Sequence, residues 1–377
     1  MMSRKIASHY ALIDGELKRN IVVEVAADGT IIDVRQEQEL DSCASVEFFP
    51  GILIPGMVNA HCHLELSYLR GAIAEGGGFA TFAREIGRVR GDYSDDQRRH
   101  AAATADAMMW EEGVEAVADI ANDELVMDIK SRSKIEYHTF FEFFGLMNNN
   151  REGITAMAAH HKHSYATPHS TYSVQDKPFR ELCSAASTIS LHLLESDDEM
   201  ALYHHSGSLW EWYERMGWEC DFLHYNTPVR RVAQSITADK RLLLVHATCA
   251  TKEDVGVIEE RMAGNATWVL CPESNRYISR MKPPVEMLRE EHVRIAVGTD
   301  SLASARNLSM IGALRQLGDI PLNELLCYAT INGARALGID STKGSIEPGK
   351  RPGLVVVEGV DMREMHLTED SIAHRII

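Results

Sequence analysis

The stretch Asn59-Ala-His61-Cys62-His63 closes an apolar run that begins at Ile52, and the prediction of the fold starts from it. In a β-strand, residues two positions apart point to the same side. His61 and His63 can therefore face one side together, while Cys62 faces the other. Two such imidazoles can bind one metal ion, although a single pair also arises by chance in a chain with 17 histidines. The other strands of the chain decide between these interpretations.

Seven further apolar runs of strand length follow, with amphipathic helical stretches between them. They begin near Val114, Tyr137, Pro168, Ile189, Leu242, Thr267 and Val293. This alternation is typical of parallel strands joined by helical crossovers. Eight units predict an α/β fold of the (β/α)8 TIM barrel type. The competing open, doubly wound sheet is disfavoured because no Gly-x-Gly-x-x-Gly follows a first strand.

Both ends of the chain are rich in short β-branched runs that are separated by turn residues. Asp14-Gly15 and Asp28-Gly29 have the composition of hairpin turns. We therefore expect residues 1–55 and 340–377 to form one small β-sandwich domain. Residues 56–339 would then form the catalytic barrel.

Composition narrows the class of protein. The 377 residues are 45% hydrophobic and 25% charged, which is typical of a globular protein. A net charge of −17 argues against nucleic acid or an anionic membrane as a partner. Neither an apolar leader nor a run of 18 apolar residues occurs, so we expect no membrane span and a cytoplasmic location.

Barrel enzymes place their catalytic groups at the C-terminal ends of the strands. The polar residues at those ends are His61, His63, His192, Glu195, His246 and Asp300. His192 would add a third nitrogen to the histidine pair, and Asp300 a hard oxygen. This donor set suits zinc or ferrous iron. Taken singly, each residue also fits a structural role, such as Asp300 capping a helix before Ser301. Their shared placement favours a metal site.

Six segments of the chain match sequence motifs of one superfamily, and they occur in the same order as in that superfamily. They are Pro55-Gly-Met-Val-Asn-Ala-His-Cys-His-Leu-Glu65, Leu191-His-Leu-Leu-Glu195, Leu244-Val-His-Ala247, Cys271-Pro-Glu-Ser-Asn275, Val297-Gly-Thr-Asp-Ser-Leu-Ala-Ser304 and Gly344-Ser-Ile-Glu-Pro-Gly-Lys350. The chain thereby resembles the amidohydrolase superfamily, within it the branch of cytosine deaminases, triazine hydrolases and nucleoside deaminases. His63-Leu-Glu-Leu-Ser67 with the nearby Gly78-Phe79 also resembles aminodeoxyfutalosine deaminases.

The resemblance implies one divalent metal ion, zinc or alternatively iron. Its ligands would be His61, His63, His192 and Asp300. No lysine lies on the expected fourth strand, where binuclear relatives carry a carboxylated lysine that bridges two metals, and this supports a single ion. The other zinc deaminase fold requires Pro-Cys-x-x-Cys, which is absent.

The same resemblance implies the catalytic roles. Glu195 would move protons between the attacking water and the leaving nitrogen, and would contact the substrate. Asp300 would share in accepting the proton of the water. His246 would orient this water or polarise the ring. His169, on the fourth strand, would contact the substrate, with stabilisation of a turn as the alternative.

The implied activity is hydrolytic deamination of an amino-substituted aromatic heterocycle by metal-activated water. Adenine nucleoside derivatives such as aminodeoxyfutalosine belong to this class. A chlorohydrolase or a cyclic-amide hydrolase could use the same metal site, and a barrel that binds a ligand without turnover is the third alternative. Ammonia release and metal content distinguish the three.

Two further predictions concern the surroundings of the site. Glu85 is the candidate for a carboxylate that holds a ribose. Residues 200–235, the aromatic segment, are rich in tryptophan and tyrosine. We expect this segment to form a substrate lid, to pack on the outer wall of the barrel, or to form the interface of a homodimer.

Overall fold

The computed structural model describes residues 3–38 and 45–377. Its strands, in chain order, are β1 (Arg4–Ile13), β2 (Glu16–Lys18), β3 (Ile21–Val25), β4 (Ile31–Gln36), β5 (Val46–Pro55), β6 (Met57–Cys62), β7 (Val114–Ala121), β8 (Glu136–Phe143), β9 (Ser164–Pro168), β10 (Thr188–Leu193), β11 (Arg241–His246), β12 (Ala266–Leu270), β13 (Ile295–Val297), β14 (Leu354–Asp361) and β15 (His366–Arg375). The helices are α1 (Phe79–Val89), α2 (Asp95–Glu112), α3 (Met127–Arg132), α4 (Arg151–His160), α5 (Asp176–Ala185), α6 (Asp197–Tyr203), α7 (Gly207–Met216), α8 (Pro228–Ser235), α9 (Lys252–Met262), α10 (Pro272–Ser279), α11 (Val285–Glu290), α12 (Met310–Arg315), α13 (Leu322–Tyr328) and α14 (Ile331–Leu337).

Strands from both ends of the chain form one seven-stranded sheet. Its order is β15-β14-β5-β1-β3-β4, and β2 pairs with β1. Asp14 and Gly15 join β1 to β2 with φ of 54° and 77°, as a two-residue hairpin turn requires. The two termini therefore meet as expected. The sandwich form and the domain bounds stay predictions, and residues 1–2 and 39–44 of the predicted domain lie outside the described residues.

The middle of the chain forms two four-stranded parallel sheets. Their orders are β6-β7-β8-β9 and β10-β11-β12-β13, and helices join successive strands. Single backbone bridges link the two sheets at Cys62 with Asp300 and at Ser170 with His192. The predicted α/β class with parallel strands is confirmed. Closure of the eight strands into a barrel stays a prediction.

The expected first strand is wrong as one continuous strand, because the structure divides it at Gly56. Residues 52–55 belong to β5, whereas β6 begins at Met57. A Cβ atom on Gly56 would lie 2.1 Å from Cγ of Glu115 and 2.6 Å from the carbonyl oxygen of Pro352. Only glycine therefore fits where the chain passes from one sheet to the other.

The core lies on both sides of the parallel strands. Small and branched side chains such as Ala60, Ala116 and Val245 form a buried cluster of their own. A larger cluster packs the strands against the helices, and Cys62 belongs to it. This packing holds the strand ends rigidly, which is what a site built on them requires. In the described part of the chain, no helix is long and apolar enough to cross a membrane.

Candidate active site

The four predicted metal ligands meet at the C-terminal ends of β6, β10 and β13. The Nε2 atoms of His61 and His63 lie 3.2 Å apart. Oδ1 of Asp300 lies 3.8 Å from the first of them and 3.6 Å from the second. A ring nitrogen of His192 lies within 4.8 Å of ligand atoms of both histidines. All four residues are buried. We call these four residues the catalytic cluster, after the role that the sequence predicts for them.

The protonation of the three histidines fits a metal ion. Nδ1 of His192 donates to the carbonyl oxygen of His169 at 2.9 Å, which leaves Nε2 with its lone pair. Nδ1 of His61 is buried, and none of the residues that the structure describes forms a hydrogen bond with it. Burial, and then the charge of neighbouring histidines, lowers the pKa of His61, His63 and His192. Neutral imidazole is the form that binds metals, so the donor set fits a divalent cation.

Asp300 is held with one oxygen toward the histidines. Its Oδ2 accepts hydrogen bonds from the hydroxyl groups of Ser274 at 2.5 Å and Ser304 at 2.9 Å. Burial raises the pKa of Asp300, but His246, His61 and the hydroxyl of Ser274 outweigh burial and bring the pKa below its ordinary value. The carboxylate is therefore ionised and has Oδ1 free for a cation.

The backbone is irregular where these strands end. The pairing of β6 with β7 shifts register between Asn59 and Cys62, and such bulges re-aim side chains. Left-handed backbone, with φ of 52°, 79°, 50° and 56°, occurs at Leu194, His246, Ala247 and Asp300. This conformation is unfavourable for residues other than glycine and tends to cluster at functional sites.

Glu195 and His246 face each other beside the catalytic cluster. Oε1 of Glu195 lies 3.5 Å from Nε2 of His246, and its Oε2 accepts a hydrogen bond from the hydroxyl of Tyr172 at 3.0 Å. Nδ1 of His246 donates to Oδ1 of Asn275 at 3.1 Å, and the amide of Asn275 donates to Thr248. The pKa of Glu195 is raised to about 7, chiefly by burial. The charge of Asp300 also raises this pKa, whereas His192 lowers it. Glu195 can therefore accept or donate a proton near neutral pH.

The fourth strand was expected to begin near Pro168 and to contain His169, and this is wrong: β9 ends at Pro168, and His169 directly follows it. Its Nδ1 lies 3.0 Å from the hydroxyl of Ser173, within the turn after the strand. Its carbonyl group also accepts the hydrogen bond from His192. The ring borders the cavity in front of the catalytic cluster. His169 thus stabilises the turn and orients His192, whereas its contact with a substrate stays a prediction.

A cavity of about 330 Å³ opens in front of the catalytic cluster. Its polar lining includes His63, His192, Glu195, His246 and Asp300. Its apolar lining comprises Leu66, Phe79, Phe82, Ala83, Ile86, Phe144, Leu146, Leu209, Trp212, Tyr213 and Trp218. The last four belong to the aromatic segment, which therefore forms part of the cavity wall. This position favours the expected lid over packing on the outer wall, while the homodimer interface stays a prediction.

Sequence analysis missed several residues of the cavity. Glu142 lines the cavity near the C-terminal end of β8. A search for polar residues at strand ends could therefore have identified it. Within residues 3–38 and 45–377, nothing forms a hydrogen bond with its buried Oε1, whereas its Oε2 accepts from Asn122 at 3.2 Å. Burial raises the pKa of Glu142 to about 8. Arg90 also lines the cavity, and it donates to Glu65 and Asn122. No local pattern in the sequence indicated Arg90.

The prediction for Glu85 is wrong. Its carboxylate accepts from the guanidinium of Arg88, one helical turn further along α1, at 2.7 Å. Neighbouring positions of α1 line the cavity, but Glu85 does not. Phe79, Ala83 and Ile86 form the face of α1 that lines the cavity, and Glu85 lies to the side of this face.

Comparison with known proteins adds to this geometry. The model of the amidohydrolase family matches residues 52–374, which includes every residue of the catalytic cluster. The chain belongs to the amidohydrolase family. The 5-methylthioadenosine/S-adenosylhomocysteine deaminase of Teredinibacter turnerae is similar to this amidohydrolase, with 25% identity over 87% of this chain and 78% of that protein. An adenosine deaminase of Helicobacter pylori is 27% identical over 88% of this chain and 86% of its own length.

Among solved structures, this amidohydrolase is similar to the aminofutalosine deaminase of Helicobacter pylori in complex with methylthio-coformycin. The TM-score is 0.83 at 22% identity, over 99% of this chain and 100% of that one. The predictions of the family and of a metal-dependent hydrolytic deaminase that acts on carbon–nitrogen bonds are confirmed. The identity of the metal stays a prediction.

Proposed function

We propose that this amidohydrolase deaminates the adenine ring of a nucleoside that carries an apolar 5′ substituent. The observation that carries the proposal is the position of Glu195. Its carboxyl group lies between His246 and the hydroxyl of Tyr172, beside the catalytic cluster and facing the cavity. A carboxyl group there can reach both a water molecule at the cluster and a ring nitrogen in the cavity.

His61, His63, His192 and Asp300 would hold one divalent metal ion, for which zinc is our choice and iron the alternative. When bound, this ion would supply Lewis acidity that makes water a nucleophile near neutral pH. The single ion is supported by the donor set, which contains three neutral imidazoles and one ionised carboxylate.

The residues of the chain move the protons of the reaction. Glu195 takes a proton from the attacking water and delivers it to the ring nitrogen as negative charge develops there. His246 orients the attacking water, because Asn275 fixes its Nδ1 as a donor and leaves the lone pair of Nε2 to accept a hydrogen bond from that water. Glu195 then takes the second proton, from the hydroxyl group that has added to the ring, and delivers it to the exocyclic amine. The carbon–nitrogen bond breaks, the ring carbonyl forms, and ammonia leaves.

The cavity lining favours an apolar substituent on the substrate. Phe79, Phe82 and Trp212 are among its aromatic side chains. Arg90 is the one lysine or arginine among the lining residues that the structure describes, and Glu65 and Asn122 already bind it. A methylthio group therefore suits the cavity better than the zwitterionic end of a homocysteine, which would need free counter-charges. The unpartnered Oε1 of Glu142 is available to accept from a ribose hydroxyl. We also propose that His169 contacts the bound nucleoside.

The proposal includes the finer architecture. The eight parallel strands would close as a (β/α)8 barrel of residues 56–339, and residues 1–55 and 340–377 would form the small β-sandwich. The two bridges between the parallel sheets support closure. Barrel closure would also explain why polar residues from four different strands converge at one end.

Ammonia release from a panel of substrates tests the proposed function. The panel contains 5′-methylthioadenosine, 5′-deoxyadenosine, adenosine, S-adenosylhomocysteine, a chlorotriazine and a cyclic amide. We expect the highest kcat/KM for the first two nucleosides and a Glu195→Gln loss of about 10²- to 10⁴-fold. Chloride release or ring opening without ammonia would support the hydrolase alternatives instead. Stoichiometric metal without any turnover on an extended panel would support the ligand-binding alternative.

A further inference from the structure

A second group of histidine and glutamate side chains, of the types that bind metals, lies at the ends of the strands opposite to the catalytic cluster. Glu136 and His138 occupy the start of β8, and His163 directly precedes β9. One ligand atom of each lies within 4.8 Å of the others. The proposed deamination makes no use of these three residues, which we call the lower cluster.

His138 is the buried member of the lower cluster, with 2% of its surface exposed. Its Nε2 lies 3.1 Å from Oε1 of Glu136. Its Nδ1 is buried, and no described residue forms a hydrogen bond with it. The ring centre lies 5.0 Å from that of His163. Because Nε2 is the ring nitrogen nearest to Glu136, it is the nitrogen that would coordinate a cation held by both residues.

The charge of the lower cluster also suits a cation. The hydrogen bond with His138 lowers the pKa of Glu136, and this outweighs the opposite effect of burial. The carboxylate is therefore ionised at neutral pH. Lys343 lies close enough to lower the pKa of Glu136 as well, but its Nζ donates to Glu115 at 2.9 Å. The lysine thus has its own carboxylate and does not fill the lower cluster.

We propose that Glu136, His138 and His163 form a second metal site, which binds zinc independently of the catalytic cluster. Two imidazoles and one carboxylate are a donor set that zinc accepts, with a fourth position for water. Ligand atoms around tetrahedral zinc lie about 3.4 Å apart, so the side chains must draw together slightly. The exposed ring of His163 can make this movement. Bound zinc would tie the segment before β9 to the start of β8, a stabilising role suited to this face of the strands.

Zinc stoichiometry of the full chain tests the second site. The protein is stripped with a chelator, equilibrated with buffered zinc, and analysed for zinc bound per chain and for ammonia release. We expect two zinc ions in the wild type and one in His163→Ala, with unchanged ammonia release. Glu136→Gln is the second variant, because it keeps the shape of the side chain and removes its charge. His160→Ala is the matched control, since His160 is an exposed histidine at the end of α4 outside the lower cluster.

The outcomes separate this site from the catalytic one. Loss of one zinc ion in both variants, with two retained in His160→Ala, supports the proposal. A wild type that binds a single zinc ion, or a His163→Ala protein that still binds two, overturns it. Loss of a zinc ion in His160→Ala as well would indicate unspecific surface binding and would also overturn it. We further expect zinc to raise the thermal midpoint of the wild type more than that of His163→Ala.

Discussion

Asn275 acts on the site through one hydrogen bond. It accepts from Nδ1 of His246, and its own amide donates to Thr248, which fixes which end of the amide faces the histidine. The tautomer of His246 therefore depends on a residue that does not line the cavity. Histidines in active sites are commonly oriented in this way by a second hydrogen bond.

Asn275→Ala tests this orientation. Without the acceptor, Nδ1 of His246 no longer has to carry the proton, and we expect kcat for ammonia release to fall by about 10- to 100-fold. The KM and the bound metal should change little, because Asn275 contacts neither the cavity nor the catalytic cluster. Asn275→Asp keeps an acceptor oxygen and should retain most of the turnover. An unchanged kcat in Asn275→Ala would contradict the role of this hydrogen bond.

At the level of single residues, sequence analysis found the side chains that end apolar strands. His61, His192 and Asp300 are visible because their residue types are rare in such runs. Arg90 was not visible, because it directly follows α1 and lines the cavity only where the fold brings this helix against the strand ends. Glu142 was visible in principle, yet a single glutamate in an aromatic run carries little weight without its three-dimensional neighbours.

Among the elements, the turn after β6 is held by a buried ion pair. Oδ1 of Asp119, in β7, accepts from the backbone N–H of Leu64 at 2.8 Å, directly after His63. Oδ2 of Asp119 pairs with Lys130 of α3, and both side chains are at most 3% exposed. The pair thus links β7, α3 and the turn that carries the histidines. Removing one partner of such a pair leaves a buried group without its counter-charge.

Lys130→Met is expected to lower the free energy of unfolding by about 3 kcal/mol, because Asp119 loses its buried partner. Urea denaturation of the metal-loaded protein measures this change. Arg132→Ala is the matched control, since Arg132 forms an exposed ion pair with Asp128 from the same helix. Such surface pairs contribute about 0–1 kcal/mol. Equal effects of the two substitutions would contradict the importance that we assign to the buried pair.

The predicted first strand failed where two strands of different sheets follow each other directly in the sequence. An apolar run indicates a buried strand but not the sheet to which the strand belongs. The run from Ile52 therefore looked continuous, although its first part pairs with β1 and β14 and its second part with β7. Gly56 marks the change, and only the contacts with Glu115 and Pro352 reveal why glycine is required there.

For the whole molecule, the C-terminal part of the chain meets the parallel strands at Glu115. Its carboxylate accepts from Arg375, at the end of β15, and from Lys343 at 2.9 Å. The guanidinium of Arg375 also lies 3.3 Å from the centre of the Trp110 ring. The α/β rhythm and the β-rich ends were predictable from local patterns. This docking was not, because it joins residues that are more than 200 positions apart in sequence.

The central claim is that His61, His63, His192 and Asp300 bind the metal on which deamination depends. The most direct measurement is ammonia release during zinc titration of chelator-stripped protein, in the His163→Ala background that removes the lower cluster. We predict that turnover rises in proportion to bound zinc and levels off at one ion per chain. We also predict that adding His192→Ala abolishes both zinc binding and turnover. Full turnover of the stripped protein, or a His192→Ala protein as active as its parent, would contradict the claim.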